Sequence, residues 1–212
     1  MITIRVLKLS AAASCLAMAV LAYVGGCTQN SRIVQDQYRL DVARVSNDRQ
    51  TRGQGVLKVR RFVISSPFET HEFVYRKAES RYVSDFYNRF LSPPAGLITE
   101  EVRQWLSESG VFANVVGAFS GVDYDYMLEG DILAVYGDHR GETESNAVME
   151  IEFMLIDEHL KKDIIIFNRK YRSVQPTDDK SASSLAEGLN ACLVEILTNL
   201  EADLRRLPRK VQ

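Results

Sequence analysis

The chain has 212 residues, with 26 basic and 28 acidic side chains, three cysteines and 46% hydrophobic residues. This length suits one domain with a sizeable core. The net charge of −2 and the lack of any block of like charge argue against nucleic acid as a partner.

The first 27 residues have the pattern of an export signal. Arg5 and Lys8 precede a stretch without charge from Leu9 to Cys27, as is typical of a secretory signal. This stretch ends in four residues that resemble the lipobox, the cleavage signal of bacterial lipoproteins: Val24, Gly25, Gly26 and Cys27.

The lipobox resemblance implies that the Cys27 thiol receives a diacylglycerol and that Cys27 becomes the first residue of the mature chain. It also implies an outer-membrane address, since Thr28 stands where Asp commonly retains lipoproteins at the inner membrane. Two alternatives remain open: an uncleaved anchor helix, and an ordinary signal cut elsewhere. The expected organisation is a signal peptide (1–26), a lipidated tether (27–36), one domain (37–207) and a short tail (208–212).

The first half of the domain is predicted to be rich in strands. Alternation from Tyr38 to Val42 indicates a strand, and residues 56–65 are predicted as one strand that ends at Pro67. Residues 72–90 are predicted as a hairpin that turns near Lys77 to Ser80. A helix is then expected from Ser92, which can act as its cap, to a stop at Gly110.

Three long alternating runs and a second helix complete the domain. The runs, at 126–136, 147–157 and 164–174, fit a meander of antiparallel strands with one apolar face and one mixed face. From Ser181 onward, apolar residues recur at helical spacing. The sequence therefore predicts an α+β fold, a mostly antiparallel sheet with two amphipathic helices packed on one face.

The sequence contains no catalytic or metal-binding motif. His71, His139 and His159 each fall in a predicted loop and have no partner at metal-ligand spacing, so we expect solvated histidines. Neither GxSxG, GxGxxG nor a P-loop occurs. Cys192 stands at an apolar helical position and is expected in the core. We therefore expect neither enzymatic activity nor a cofactor beyond the covalent lipid on Cys27.

Two groups of side chains are candidates for contact with a partner. The first is on the aromatic hairpin, where Tyr and Arg alternate as in interface hot spots. The second is on the polar side of the last strand. The candidate contact residues are Arg81, Tyr87, Arg89, Lys170 and Arg172. Phe86 and Phe90, by contrast, are expected to pack in the core.

The mature chain resembles the ABC-type transport auxiliary lipoprotein family, which accompanies MCE-domain lipid transporters. The resemblance covers roughly Tyr38 to Leu207 and lies in the order of short motifs after the lipobox. These motifs are Tyr38-Arg39-Leu40, Phe73-Val74-Tyr75-Arg76 and the segment from Gly110 to Val115. One departure is Phe90, where many members have Trp.

The resemblance implies a non-enzymatic lipoprotein at the periplasmic face of the outer membrane that docks the MCE-domain protein of an ABC lipid transporter. Since some relatives form rings, a homo-oligomer is also implied. Three other functions stay open at this point: a subunit resembling the plug lipoprotein of the lipopolysaccharide translocon, a lipid carrier with a cavity between sheet and helices, and a periplasmic hydrolase.

Overall fold

The computed structural model describes residues 34–44, 53–158 and 164–207. In these ranges the chain forms nine strands and two helices. The strands are β1 (Asp36–Tyr38), β2 (Val56–Val59), β3 (Val63–Ile64), β4 (Glu72–Ala78), β5 (Arg81–Phe90), β6 (Asn114–Gly117), β7 (Tyr126–Asp138), β8 (Asn146–Asp157) and β9 (Ile164–Pro176). The helices are α1 (Pro94–Ser109) and α2 (Ala182–Arg206), and a 3-10 turn spans Ser66–Phe68. From Gln35 onward the described residues belong to one compact unit.

The sheet is mixed, which corrects the prediction of a mostly antiparallel one. The predicted meander β7–β8–β9 is confirmed as antiparallel, and so is the β4–β5 hairpin. The other edge of β7, however, pairs in parallel with β2, β3 and β4 in succession. Strands β1 and β6 add further parallel pairs on β5 and β2. Side-chain alternation has the same period in both kinds of sheet, so the sequence pattern could not separate them.

The strand predicted over residues 56–65 is broken in two by Phe62. Its ring is buried over Gly130 of β7, where a Cβ atom would lie only 2.7 Å from the ring. The Phe62 amide donates to the hydroxyl of Thr99 in α1, not to a neighbouring strand. The chain therefore leaves β7 after β2 and returns to it at β3.

Helix α1 begins one residue later than predicted. Its cap residue is Pro93 and no side chain caps it, so the predicted role of Ser92 is wrong. Pro94 occupies the first turn, where an absent N–H leaves no hydrogen bond unmade. The predicted stop at Gly110 is confirmed, because Gly110 adopts the left-handed conformation with φ 66°.

Helix α2 covers the apolar face of β8 and β9. Ser181 caps it by accepting a hydrogen bond from the Ser184 amide. Alternate residues of β8 face the buried stripe of the helix: Ala147, Met149, Ile151, Phe153 and Leu155. Helix α1 contacts β6 and α2. No helix in residues 34–44, 53–158 or 164–207 is long and apolar enough to cross a bilayer.

Candidate docking surfaces

Strand β5 carries a bulge of three residues opposite β4. Phe73 pairs with Asp85 but Glu72 pairs with Arg89, so Phe86, Tyr87 and Asn88 between them have no register partner on β4. The carboxylate of Asp85 stabilises the bulge. Its Oδ1 accepts hydrogen bonds from the amides of Tyr87 at 2.9 Å and Asn88 at 3.2 Å, and its Oδ2 accepts one from Asn88 Nδ2.

The bulge places two aromatic side chains at the surface. Phe86 is 54% exposed and Tyr87 is 61% exposed, and their rings meet edge to face with centroids 5.5 Å apart. The prediction that Phe86 packs in the core is therefore wrong, because the extra residues of the bulge leave its ring at the surface. The prediction for Phe90 is confirmed, since its ring is buried against Phe73.

A surface groove of about 560 Å³ lies beside the bulge. Its walls combine apolar or aromatic side chains with cationic ones, and six of its residues are Lys77, Val83, Phe86, Tyr87, His139 and Lys180. The start of α2, at Ser181 and Ala182, forms another part of the wall. Helix N-termini favour anions because their first N–H groups have no partner within the helix.

His139 is a buried member of the groove, which corrects the prediction of a solvated loop histidine. Only 7% of the residue is exposed, and its ring lies 4.5 Å from the Tyr75 ring. Lys77 Nζ lies 3.0 Å from His139 Nδ1. Burial, followed by the charges of Lys77 and Lys180, lowers the pKa of His139 to about 4.

The lysine contact determines the proton position on His139. An ammonium group can only donate, so Nδ1 accepts and the neutral ring carries its proton on Nε2. That Nε2 atom is buried and has no hydrogen-bond partner among the described residues. Of the other two histidines, His71 is half-buried, and His159 lies outside the described residues.

The candidate contact residues on the hairpin do not form one cluster. Arg81 is exposed at the start of β5, beside the turn, and Arg89 is half-buried near its end. Arg89 Nη1 donates to Gln35 Oε1 at 3.1 Å. Tyr87 lies between them on the bulge. Arg89 therefore holds the segment before β1 in place, whereas Arg81 and Tyr87 are exposed and could contact a partner.

Lys170 and Arg172 lie together on the exposed face of β9. Both cations face Glu150 of β8, with Nζ of Lys170 at 3.6 Å and Nη1 of Arg172 at 2.7 Å. Tyr171, between them, points to the helix side and donates to Asp203 of α2. Within the described residues the outer edge of β9 pairs with no strand.

One exposed aromatic residue was not predicted from the sequence. Phe119 is 97% exposed in the loop between β6 and β7. Its setting, "GAFSG" at 117–121, places an aromatic ring between two glycines. Such a ring in a turn-rich segment is a signal that could have identified it.

Two other polar side chains have structural roles. Asp125 Oδ2 accepts a hydrogen bond from the Val56 amide at 2.6 Å, which ties the loop before β7 to β2. Cys192 is buried as predicted, and burial raises the pKa of its thiol to about 11. In the part of the chain that the structure describes, no group of three or more His, Cys, Asp or Glu residues could hold a metal ion. The lipobox residues Val24, Gly25, Gly26 and Cys27 lie outside that part.

Comparisons with known proteins identify the fold alone. No protein-family model matches the sequence, and no curated protein matches it. The structure is similar to that of protein XCC0632 from Xanthomonas campestris, described with family model DUF330, with TM-score 0.70 and 16% identity over 78% of this chain and 92% of that one. It is also similar to a protein described as uncharacterized, with TM-score 0.63 and 16% identity over 81% of this chain and 99% of that one.

Proposed function

We propose that this chain is a lipid-anchored, non-catalytic protein of the bacterial envelope that docks the MCE-domain subunit of an ABC-type lipid transport system at the outer membrane. Two sequence features support the proposal: the lipobox that ends at Cys27 and the order of motifs from Tyr38 onward. The acyl chains would supply stable anchoring, and the domain that follows them would supply the contact with a partner.

The charged face of β9 is the observation that carries this proposal. Lys170 and Arg172 present two cations on a face that α2 leaves uncovered, and Glu150 holds both in position. The edge of the same strand offers backbone hydrogen-bonding groups to a further strand. Two cations at fixed positions next to an unpaired strand edge favour recognition of a protein. The charges fix the orientation of the partner, and the edge fixes the register of the added strand.

The polar groups of the described core support a non-catalytic role. Glu201 binds Arg44, Trp105 and Arg205 in one buried network. His139 is engaged by Lys77, and the Cys192 thiol donates to the Ala147 carbonyl at 3.4 Å. Helix α2 packs closely on β8, since a Cβ atom at Gly188 would lie 2.7 Å from Cβ of Ala147. The domain is therefore better suited to contact at its surface than to carriage of a lipid between these elements.

Charge reversal with affinity capture tests the proposal. The full-length chain would be expressed with its MCE-domain partner, and the Lys170→Glu/Arg172→Glu variant is expected to recover roughly tenfold less partner. The matched control is Arg39→Glu, which reverses another exposed arginine in an ion pair, with Asp41. A second variant, Arg81→Glu/Arg89→Glu, probes the hairpin.

Two results would count against this function. Capture that survives both double reversals would exclude these surfaces as the docking site. Co-purification with a large β-barrel protein in place of an MCE-domain protein would favour the translocon-like alternative. Ring formation by this chain remains part of the proposal, and the mass of the purified complex would measure it.

A further inference from the structure

The chain enters the compact unit directly beside the bulge. Gln35 Nε2 donates to the Phe86 carbonyl at 2.8 Å, and β1 pairs in parallel with residues 88–90 of β5. Cys27 lies eight residues before Gln35. Eight residues span at most about 28 Å, so a lipid on Cys27 would hold Gln35 within about that distance of the bilayer.

The side chains on the bulge have the chemistry of a membrane interface. Phe86 presents an apolar ring and Tyr87 a ring with a polar hydroxyl, and both are more than half exposed. Val83 on the same strand adds an exposed aliphatic group. Rings of this kind are enriched where a protein meets the headgroup region, because one end is apolar and the other is hydrated.

The groove beside these rings carries positive charge. Lys77 and Lys180 line it. The ammonium of Lys77 contacts His139 Nδ1, and that of Lys180 donates to the carbonyls of Gly141 and Glu142. The acidic side chain in its wall is Asp85, whose oxygens already accept hydrogen bonds from Tyr87 and Asn88. Two cationic side chains beside a carboxylate that is already hydrogen-bonded favour an anionic headgroup.

We propose that the bulge and its groove form the surface on which this domain rests on the bilayer. Phe86 and Tyr87 enter the interfacial region, and the positive charges of Lys77 and Lys180 attract the phosphate of an anionic lipid headgroup. The inference rests on the proposed lipid anchor at Cys27. It also leaves the β9 face free for a protein partner, since three strands lie between β5 and β9.

Depth-dependent fluorescence quenching tests this surface. The full-length lipidated chain would be placed in vesicles of equal parts phosphatidylglycerol and phosphatidylcholine, with and without brominated acyl chains. Emission from a Tyr87→Trp variant is expected to fall by about half in the brominated vesicles, as for a ring in the interfacial layer. Trp105, the single native tryptophan, is buried in α1 and gives a constant background.

The matched control is Phe119→Trp, because Phe119 is even more exposed but lies on the loop after β6. Its emission is expected to be unaffected by bromine. Equal quenching at both positions, or none at position 87, would overturn the proposed surface. Protection of position 87 from both bromolipid and aqueous iodide would likewise overturn it and assign the surface to a protein.

Two further measurements test the headgroup contact and the lipid anchor separately. Replacing phosphatidylglycerol with phosphatidylcholine, or changing Lys77→Gln and Lys180→Gln together, is expected to weaken the quenching at position 87. Quenching that ignores both changes would overturn the headgroup site. Flotation reports on the anchor itself: a full chain that fails to float with vesicles contradicts the proposed function, whereas a floating chain without quenching contradicts the resting surface alone.

Discussion

The indole Nε1 of Trp105 donates a 2.8 Å hydrogen bond to Oε2 of Glu201, and this buried contact joins the two helices. The same carboxylate accepts two hydrogen bonds of 2.8 Å from Arg44, in the segment after β1. Arg205, one turn further along α2, donates to Glu201 Oε1. Burial raises the pKa of Glu201, but the bonds from Arg44, Arg205 and Trp105 outweigh burial and hold it below its ordinary value.

Glu201→Gln is expected to destabilise the fold by about 3 kcal/mol, because it removes the carboxylate charge that pairs with the buried guanidinium of Arg44. Urea unfolding followed by Trp105 emission measures the change and observes the network directly. The contribution of a carboxylate with a lowered pKa is present above the unfolded pKa and is lost as the pH falls through the folded one. The difference in stability between the Glu201→Gln variant and the wild-type chain should therefore shrink below about pH 4.5.

Trp105→Phe provides the comparison for this network, with both variants followed by far-ultraviolet circular dichroism because this one lacks the single tryptophan. It removes one hydrogen bond to a charged group and leaves both ion pairs, so a smaller loss of about 1.5–2 kcal/mol is expected. Equal losses for the two variants would mean that packing of the indole, and not the charge network, dominates this contact.

The elements with long, sustained periodicity could be predicted from the sequence. The stripe of α2 and the three strands of the meander each repeat one spacing over many residues, so a local pattern identifies them. The pairing of β2, β3 and β4 with β7 could not be found in this way. It depends on where Phe62 leaves the sheet to lie over Gly130, a contact between residues 68 positions apart in the sequence.

Local alternation also predicted part of the candidate surfaces. Alternation along β9 placed Lys170 and Arg172 on the outer face, and the structure has them there. The exposure of Phe86 follows from a register shift against β4, and the burial of His139 follows from Lys77 and Tyr75 on another strand. Neither feature leaves a signal in the local sequence.

Alanine at Gly188 is expected to destabilise the fold by about 1–2 kcal/mol, although alanine is the better helix former. Gly188 lets α2 approach β8, and a Cβ atom there would lie 2.7 Å from Cβ of Ala147 and 2.9 Å from Cγ2 of Thr177. The overlap with packed neighbours outweighs the gain in helix propensity. Thermal or urea unfolding measures whether the substitution raises or lowers the free energy of unfolding.

Gly96→Ala in α1 is the matched control, since nothing lies within 4 Å of the added Cβ position. The same substitution should there stabilise the chain, by about 0.5 kcal/mol. A stabilising effect at Gly188 as well would show that α2 can move away from the sheet without loss.

The stability of this domain is expected to fall below neutral pH because of His139. Its folded pKa, about 4, lies below the value of about 6.5 in an unfolded chain. The unfolded state therefore binds the proton first, and stability present above about pH 6.5 is lost as the pH falls toward about 4. Between about pH 7.5 and 5.5 the loss should be about 1 kcal/mol.

His139→Gln tests this assignment with urea unfolding at both pH values. Glutamine cannot titrate, so the variant should lose less stability over the interval than the wild-type chain, whatever its stability at the higher pH. Identical losses in the two chains would place the titrating group elsewhere.

Asp85→Ala is expected to loosen the bulge that carries Phe86 and Tyr87. The change removes the acceptor for the amides of Tyr87 and Asn88. A loss of about 1 kcal/mol is expected, because water can replace the acceptor at the exposed Tyr87 amide. Hydrogen exchange of these two amides should become roughly tenfold faster, because local opening no longer breaks a hydrogen bond. Asp85→Asn keeps the Oδ1 acceptor and should preserve most of the protection without the charge. If both variants exchange like the wild-type chain, the register shift against β4 holds the bulge by itself, and the carboxylate has no part in presenting the two rings.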